Sequence, residues 1–97
     1  MKKYIIVLIH EQQGKPYILH TDKRFHEHVC DSRGCHVVQY QSIAAAKRKA
    51  RECCKRYTYG KSYAMTYDEL EHMEDLTRGF YKAAQRVEIM AEYAGSL

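Results

Sequence analysis

The chain has no tryptophan, one proline and five glycines among its 97 residues, and no low-complexity tract. That composition excludes collagen-like and Pro/Gly-rich disordered classes. Long hydrophobic runs are missing too. The longest, Tyr4 to Ile9, falls far short of the roughly 20 residues that cross a bilayer, so no membrane partner is expected. Met1-Lys2-Lys3 before it imitates the start of a signal peptide, but the apolar stretch is too short and no small-residue cleavage site follows. A cytoplasmic location is the expectation. No Gly-rich phosphate loop, HExxH pair or nucleophile elbow occurs, so no catalytic residue is assigned and an enzyme is not expected. What is present, 45% hydrophobic and 29% charged residues, fits a folded chain. The length fits a single domain, 1–97.

The net charge of +4 conceals three blocks of different sign. Residues 1–40 carry +2. Residues 41–61 carry +6, with Lys47, Arg48, Lys49, Arg51, Lys55, Arg56 and Lys61 against Glu52 alone. Residues 62–97 carry −4. Local field rather than net charge steers association, so the central block points to an anionic partner. A solvated helix face beside a compensating acidic helix is the plainer alternative.

The pattern predicts an α+β fold: an antiparallel sheet of three to four strands packed against helices, in the order β-β-β-α-β-α with a long C-terminal helix. Lys3 to His10 is apolar on both faces and belongs at the centre of the sheet. A turn at Gln12–Lys15 leads into a second strand, Tyr17 to Thr21. Residues 22–34 read as irregular and Cys35 to Tyr40 as the third strand. Ser42 is placed as the N-cap of a helix reaching about Tyr57. Its small apolar stripe is Ile43, Ala46, Ala50, Cys53, Cys54 and Tyr57, and the basic flank lies beside it. Ser62 to Tyr67 makes a fourth strand, and Thr66 with Glu69 forms a capping-box pattern. The last helix then runs from about Asp68 to Ala94, with the helices expected on one side of the sheet. Gly79 stands where it can bend or interrupt that helix. Its apolar arc includes Leu70, Met73, Phe80, Val87 and Met90 and exceeds one contact face, which suggests a homodimer through these residues.

Three constellations could carry chemistry. Lys47, Arg51 and Lys55 stand at i, i+4 and i+8 with Arg48 beside them, followed by Tyr59 and Lys61. Such cations neutralise phosphates, and aromatic faces stack on unpaired bases. Tyr63 and Tyr67 read better as strand and core residues. Asp68, Glu69, Glu71, Glu74 and Asp75 open the last helix and could instead engage a basic groove. Finally, His26, His28, Cys30, Cys35 and His36 crowd one segment, but the paired spacing of a zinc knuckle is loose. No metal or other cofactor is assigned. Cys30 and Cys35 are expected to be reduced and metal-free, and Cys53 and Cys54 to be small core-facing residues. A zinc-stabilised adaptor is kept as an alternative.

Ser42-Ile43-Ala44-Ala45-Ala46-Lys47-Arg48-Lys49-Ala50, entered from a strand meander, resembles the last strand and helix of a double-stranded-RNA-binding domain. This implies lysines set against phosphates at a helix N-terminus. With the opening Tyr4-Ile5-Ile6 strand, the same stretch is similar to small phage-encoded anti-CRISPR proteins. That resemblance implies a non-enzymatic inhibitor in the host-cell cytoplasm, binding a protein or ribonucleoprotein target through charged helix faces. Direct RNA or DNA binding by the basic helix is the alternative.

Overall fold

The computed structural model describes residues 2–27 and 34–97. His28 and Cys30 lie outside them. Four strands form one antiparallel sheet: β1 (Tyr4–His10), β2 (Pro16–Leu19), β3 (Phe25–His26) and β4 (Gly60–Thr66), in the spatial order β3-β2-β1-β4. Among the described residues, three helices accompany the sheet: α1 (Ile43–Arg56), α2 (Tyr67–Leu76) and α3 (Ala83–Gly95). β1 is central, as its unbroken apolar run requires. It pairs along its whole length with β4, from Tyr4↔Thr66 to His10↔Gly60, and with β2 through Val7↔Ile18.

Alternation along β1 divides the core into two layers. Ile5, Val7 and Ile9 join Ile18 and Met65 beneath Leu70, Met73, Met90 and Ala94 of α2 and α3. Ile6 joins Leu19 and Ala64 beneath Ala46, Ala50 and Cys53 of α1. The helices therefore cover both faces of the sheet, not one. A strand that is apolar on both sides has to be covered on both. Small residues on α1 let it lie close to the strands, and Ser42 caps it by accepting from the Ala45 amide at 3.4 Å.

Three further details depart from the sequence reading. Residues 35–40 do not form a strand. They cross the ends of β2 and β1 through two isolated bridges, His20↔Val37 and Tyr4↔Tyr40. The outer strand is Phe25–His26 instead, folded back by a turn in which Lys23 takes φ 66° and its amide donates to the His20 carbonyl. A tight turn captures the nearest segment before a distant one can pair.

The C-terminal half is two helices rather than one. Gly79 adopts φ 93°, a left-handed conformation that glycine takes without Cβ strain. Thr77, fully buried, donates its hydroxyl to the Glu74 carbonyl at 3.0 Å. The break returns α3 to the sheet that α2 has just crossed. Leu70, Met73 and Met90 are consequently buried in the chain's own core and are no dimer face. Val87 is half-buried, and Phe80 is 42% exposed in the connection.

Gly14 is buried under α3 at φ 65°, where an added Cβ would lie 2.9 Å from the Ala83 carbonyl oxygen. At the other end of the sheet, the capping box opens α2. The Thr66 hydroxyl accepts from the Glu69 amide, and the Thr66 amide donates to the Glu69 carboxylate, each at 3.1 Å.

Candidate nucleic-acid interface

α1 buries Ala46, Ala50 and Cys53 and turns its opposite side outward. At 100° per residue, Arg48 and Lys55 stand opposite that stripe, with Arg51 and Lys47 rotated toward one flank. All four are exposed, and none is in an ion pair among the described residues. Glu52, the one acid of the block, is engaged by Lys49 at 3.3 Å. From Lys47 to Lys55 the row rises about 12 Å along the helix axis.

The row ends where the helix meets a belt of aromatic rings. Phe25 packs edge-on against Tyr57 at 5.3 Å between centroids, and Tyr57 against Tyr59 at 5.7 Å. Tyr59 meets His10 at 5.7 Å, and His10 meets Tyr17 at 6.2 Å. The Arg56 guanidinium sits 5.8 Å over the Tyr57 ring. Backbone register builds the belt: His10, Tyr17 and Phe25 project from the α1 side of the sheet, past the helix's C-terminal end. His10 is oriented by the turn, its Nδ1 accepting from the Gln12 and Gln13 amides at 3.2 Å. The Tyr57 hydroxyl donates to the Lys23 carbonyl at 3.0 Å.

Tyr59 is 43% exposed, so its ring is reachable from solvent. Burial, reinforced by Tyr57, pushes its phenol up from the ordinary value. Burial, with the Glu27 carboxylate, does the same for Tyr17. Both stay neutral at physiological pH and offer uncharged faces. Beside the belt, between α1 and β2, lies a cavity of about 300 Å³ lined by Tyr40, Lys49, Arg56 and Tyr57 among others. Its lining sets Arg56 beside the Tyr40 and Tyr57 rings, with Lys49 paired to Glu52 at its wall. Cys53 also lines it, and burial raises that thiol's pKa, which disfavours the nucleophilic thiolate.

Lys61 does not join this surface. On β4 it alternates to the opposite face, where it lines a hollow with Val87 and Ala91 of α3. The acidic residues are on that side as well, since α2 covers the face opposite α1. Glu69 is occupied by the capping box, and Asp75 pairs with Arg78 at 2.9 Å. Asp68, Glu71 and Glu74 are exposed. The sheet thus separates a basic surface from an acidic one. Tyr63 and Tyr67 pack against the core, and the Gln39 amide donates to the Tyr67 hydroxyl.

Cys53 is buried as anticipated. Cys54 is not a core residue; it is exposed, with Sγ between the Ser62 amide at 3.2 Å and the Ser62 carbonyl at 3.3 Å. His26 and Cys35 come together, joined by His20, whereas His36 is exposed. His10, Tyr17 and Phe25 escaped the sequence reading. The hairpin register was the signal for the first two, because pairing Leu8 with Tyr17 sets His10 beside that ring.

Among the described residues, no helix is long and apolar enough to cross a membrane. No family model, curated protein or solved structure matches the chain.

Proposed function

We propose that this chain is a non-enzymatic binding protein whose basic α1 surface holds a nucleic-acid strand, with unpaired bases stacking on the adjoining aromatic belt. The observation that carries this reading is the continuity of the two parts. Four exposed cations without ion pairs among the described residues lead along one helix to Tyr57 and Tyr59, where Arg56 and a cavity of about 300 Å³ lie. Four like charges on one surface repel one another by a few tenths of a kcal/mol per neighbouring pair, so an anionic partner offsets a cost that a purely structural helix could avoid. Stacking on rings favours single strands over duplexes, whose bases are already stacked.

The test is fluorescence anisotropy with labelled single-stranded and duplex RNA and DNA at several salt concentrations. Binding of single strands that weakens steeply with salt supports the reading. Absence of binding to every oligonucleotide at low salt overturns it. A second reading, in which the chain inhibits a nucleic-acid-handling protein or ribonucleoprotein as its resemblance to anti-CRISPR proteins implies, is favoured by Asp68, Glu71 and Glu74. These are exposed on α2, on the far side from the basic row.

A further inference from the structure

We propose that His20, His26 and Cys35 form a zinc site at the outer edge of the sheet. Three backbone segments converge there. His20 directly follows β2 and is fully buried, His26 is on β3, and Cys35 is carried in by residues 36–38. That segment is fixed on β2 by the Thr21 amide donating to the His36 carbonyl at 2.7 Å and the Val38 amide to the Leu19 carbonyl at 3.0 Å. The Cys35 sulfur lies 3.2 Å from His20 Nδ1 and 3.9 Å from His26 Nε2, and the two imidazole centroids are 4.2 Å apart. All three donor atoms fall within 4.8 Å of one another.

Zinc bound at 2.3 Å to sulfur and about 2.05 Å to nitrogen sets tetrahedral edges of about 3.6 Å for S···N and about 3.3 Å for N···N. The two S···N separations straddle that edge, and the two ring nitrogens, within 4.8 Å of each other, close onto the ion by side-chain adjustment. Two imidazoles and a thiolate suit zinc and exclude magnesium and calcium, which take oxygen ligands. Binding releases the Cys35 thiol proton to solvent and leaves the thiolate on the metal. The fourth position goes to water or to the Asp22 carboxylate, which lies 2.9 Å from His26 Nε2.

The site revises the expectation of a metal-free Cys35. Sequence spacing could not reveal it, because His20 is 15 positions from Cys35 and lay outside the recognised cluster. Its structural effect is to pin the part of the sheet with the least backbone pairing, a two-residue strand and an isolated bridge. The inference rests on donor geometry alone and is independent of nucleic-acid binding.

The test uses tag-free full-length protein. Zinc stoichiometry is measured by elemental analysis after dialysis, and cobalt(II) serves as the spectroscopic probe. The expected result is one zinc per chain and a tetrahedral cobalt spectrum with thiolate-to-metal charge transfer. Cys35→Ser and His26→Gln each weaken zinc affinity at least about 100-fold, since removing even an outer-sphere partner costs 10–100-fold. Cys54→Ser keeps wild-type affinity, and Asp22→Asn distinguishes a carboxylate ligand from water. Circular dichroism establishes that the variants are folded, and His26→Gln, at a half-buried position, keeps the test informative if Cys35→Ser unfolds. No zinc retained above background, cobalt bound without charge transfer, or unchanged affinity in folded Cys35→Ser or His26→Gln would overturn the assignment.

Discussion

Replacing Arg48 and Arg51 by alanine removes two of the four exposed cations of the α1 row without touching the core. Alanine is the best helix former and the change relieves like-charge repulsion, so the fold should be retained or slightly stabilised. The effect on binding follows from counterion release. A protein neutralising Z phosphates of a single strand shows a slope of about −0.7Z in log K against log salt. Four contacts give about −2.8, hence a loss of about 50-fold in affinity between 50 and 200 mM salt. The double variant keeps two contacts, giving about −1.4 and a loss of only about 7-fold over the same range. The two proteins should therefore differ most at low salt and converge as salt rises. Anisotropy titrations at four salt concentrations measure both slopes. An unchanged slope in Arg48→Ala/Arg51→Ala would refute the assignment of this row to phosphate contacts, even if absolute affinity fell.

Gly14→Ala should cost about 2 kcal/mol, combining a positive φ with a Cβ 2.9 Å from the Ala83 oxygen, whereas Gly79→Ala, positive in φ but open, should cost about 1 kcal/mol. Urea denaturation of both variants checks this, and equal losses would contradict the buried contact with α3. Glu74 is exposed as a residue, but partial desolvation of its carboxyl, opposed by Arg86 and reinforced by Asp75 and Glu71, raises that carboxyl above its ordinary value. The folded state thus favours its protonated form; this contribution is fully present below the unfolded value of about 4.3 and is lost as pH rises through the folded one. Glu74→Gln should accordingly raise the urea midpoint at pH 7 and bring no gain below about pH 4, and a variant less stable than wild type at pH 7 would exclude that account.

Much of the architecture was legible because it depends on local signals. The unbroken run from Ile5 to Ile9 fixes a central strand, Ser42 and Thr66 mark two helix starts, and the small stripe on α1 identifies its buried face. What eluded the sequence depends on partners far away in the chain. β3 has only two residues and exists because a turn folds it against Ile18 and Leu19. The division of the C-terminal half needed the size of the sheet, which decides that Met90 and Ala94 must return to cover β1. The basic row was visible as a helical spacing. The aromatic belt was only half visible: Tyr57 and Tyr59 adjoin the row in sequence, but His10, Tyr17 and Phe25 reach it through strand register. Lys61 was misassigned to this surface because proximity in sequence does not survive the alternation of a strand.

The most direct test of the account is a two-dimensional amide NMR titration of the isotopically labelled chain with a short single-stranded oligonucleotide at low salt. The account predicts chemical-shift changes concentrated on the exposed side of α1 from Lys47 to Arg56, on Tyr57 and Tyr59, and at His10 and Tyr17. Residues 68–75 of α2, across the sheet, should remain unmoved. Shifts centred on α2, or a spectrum indifferent to the oligonucleotide, would contradict it.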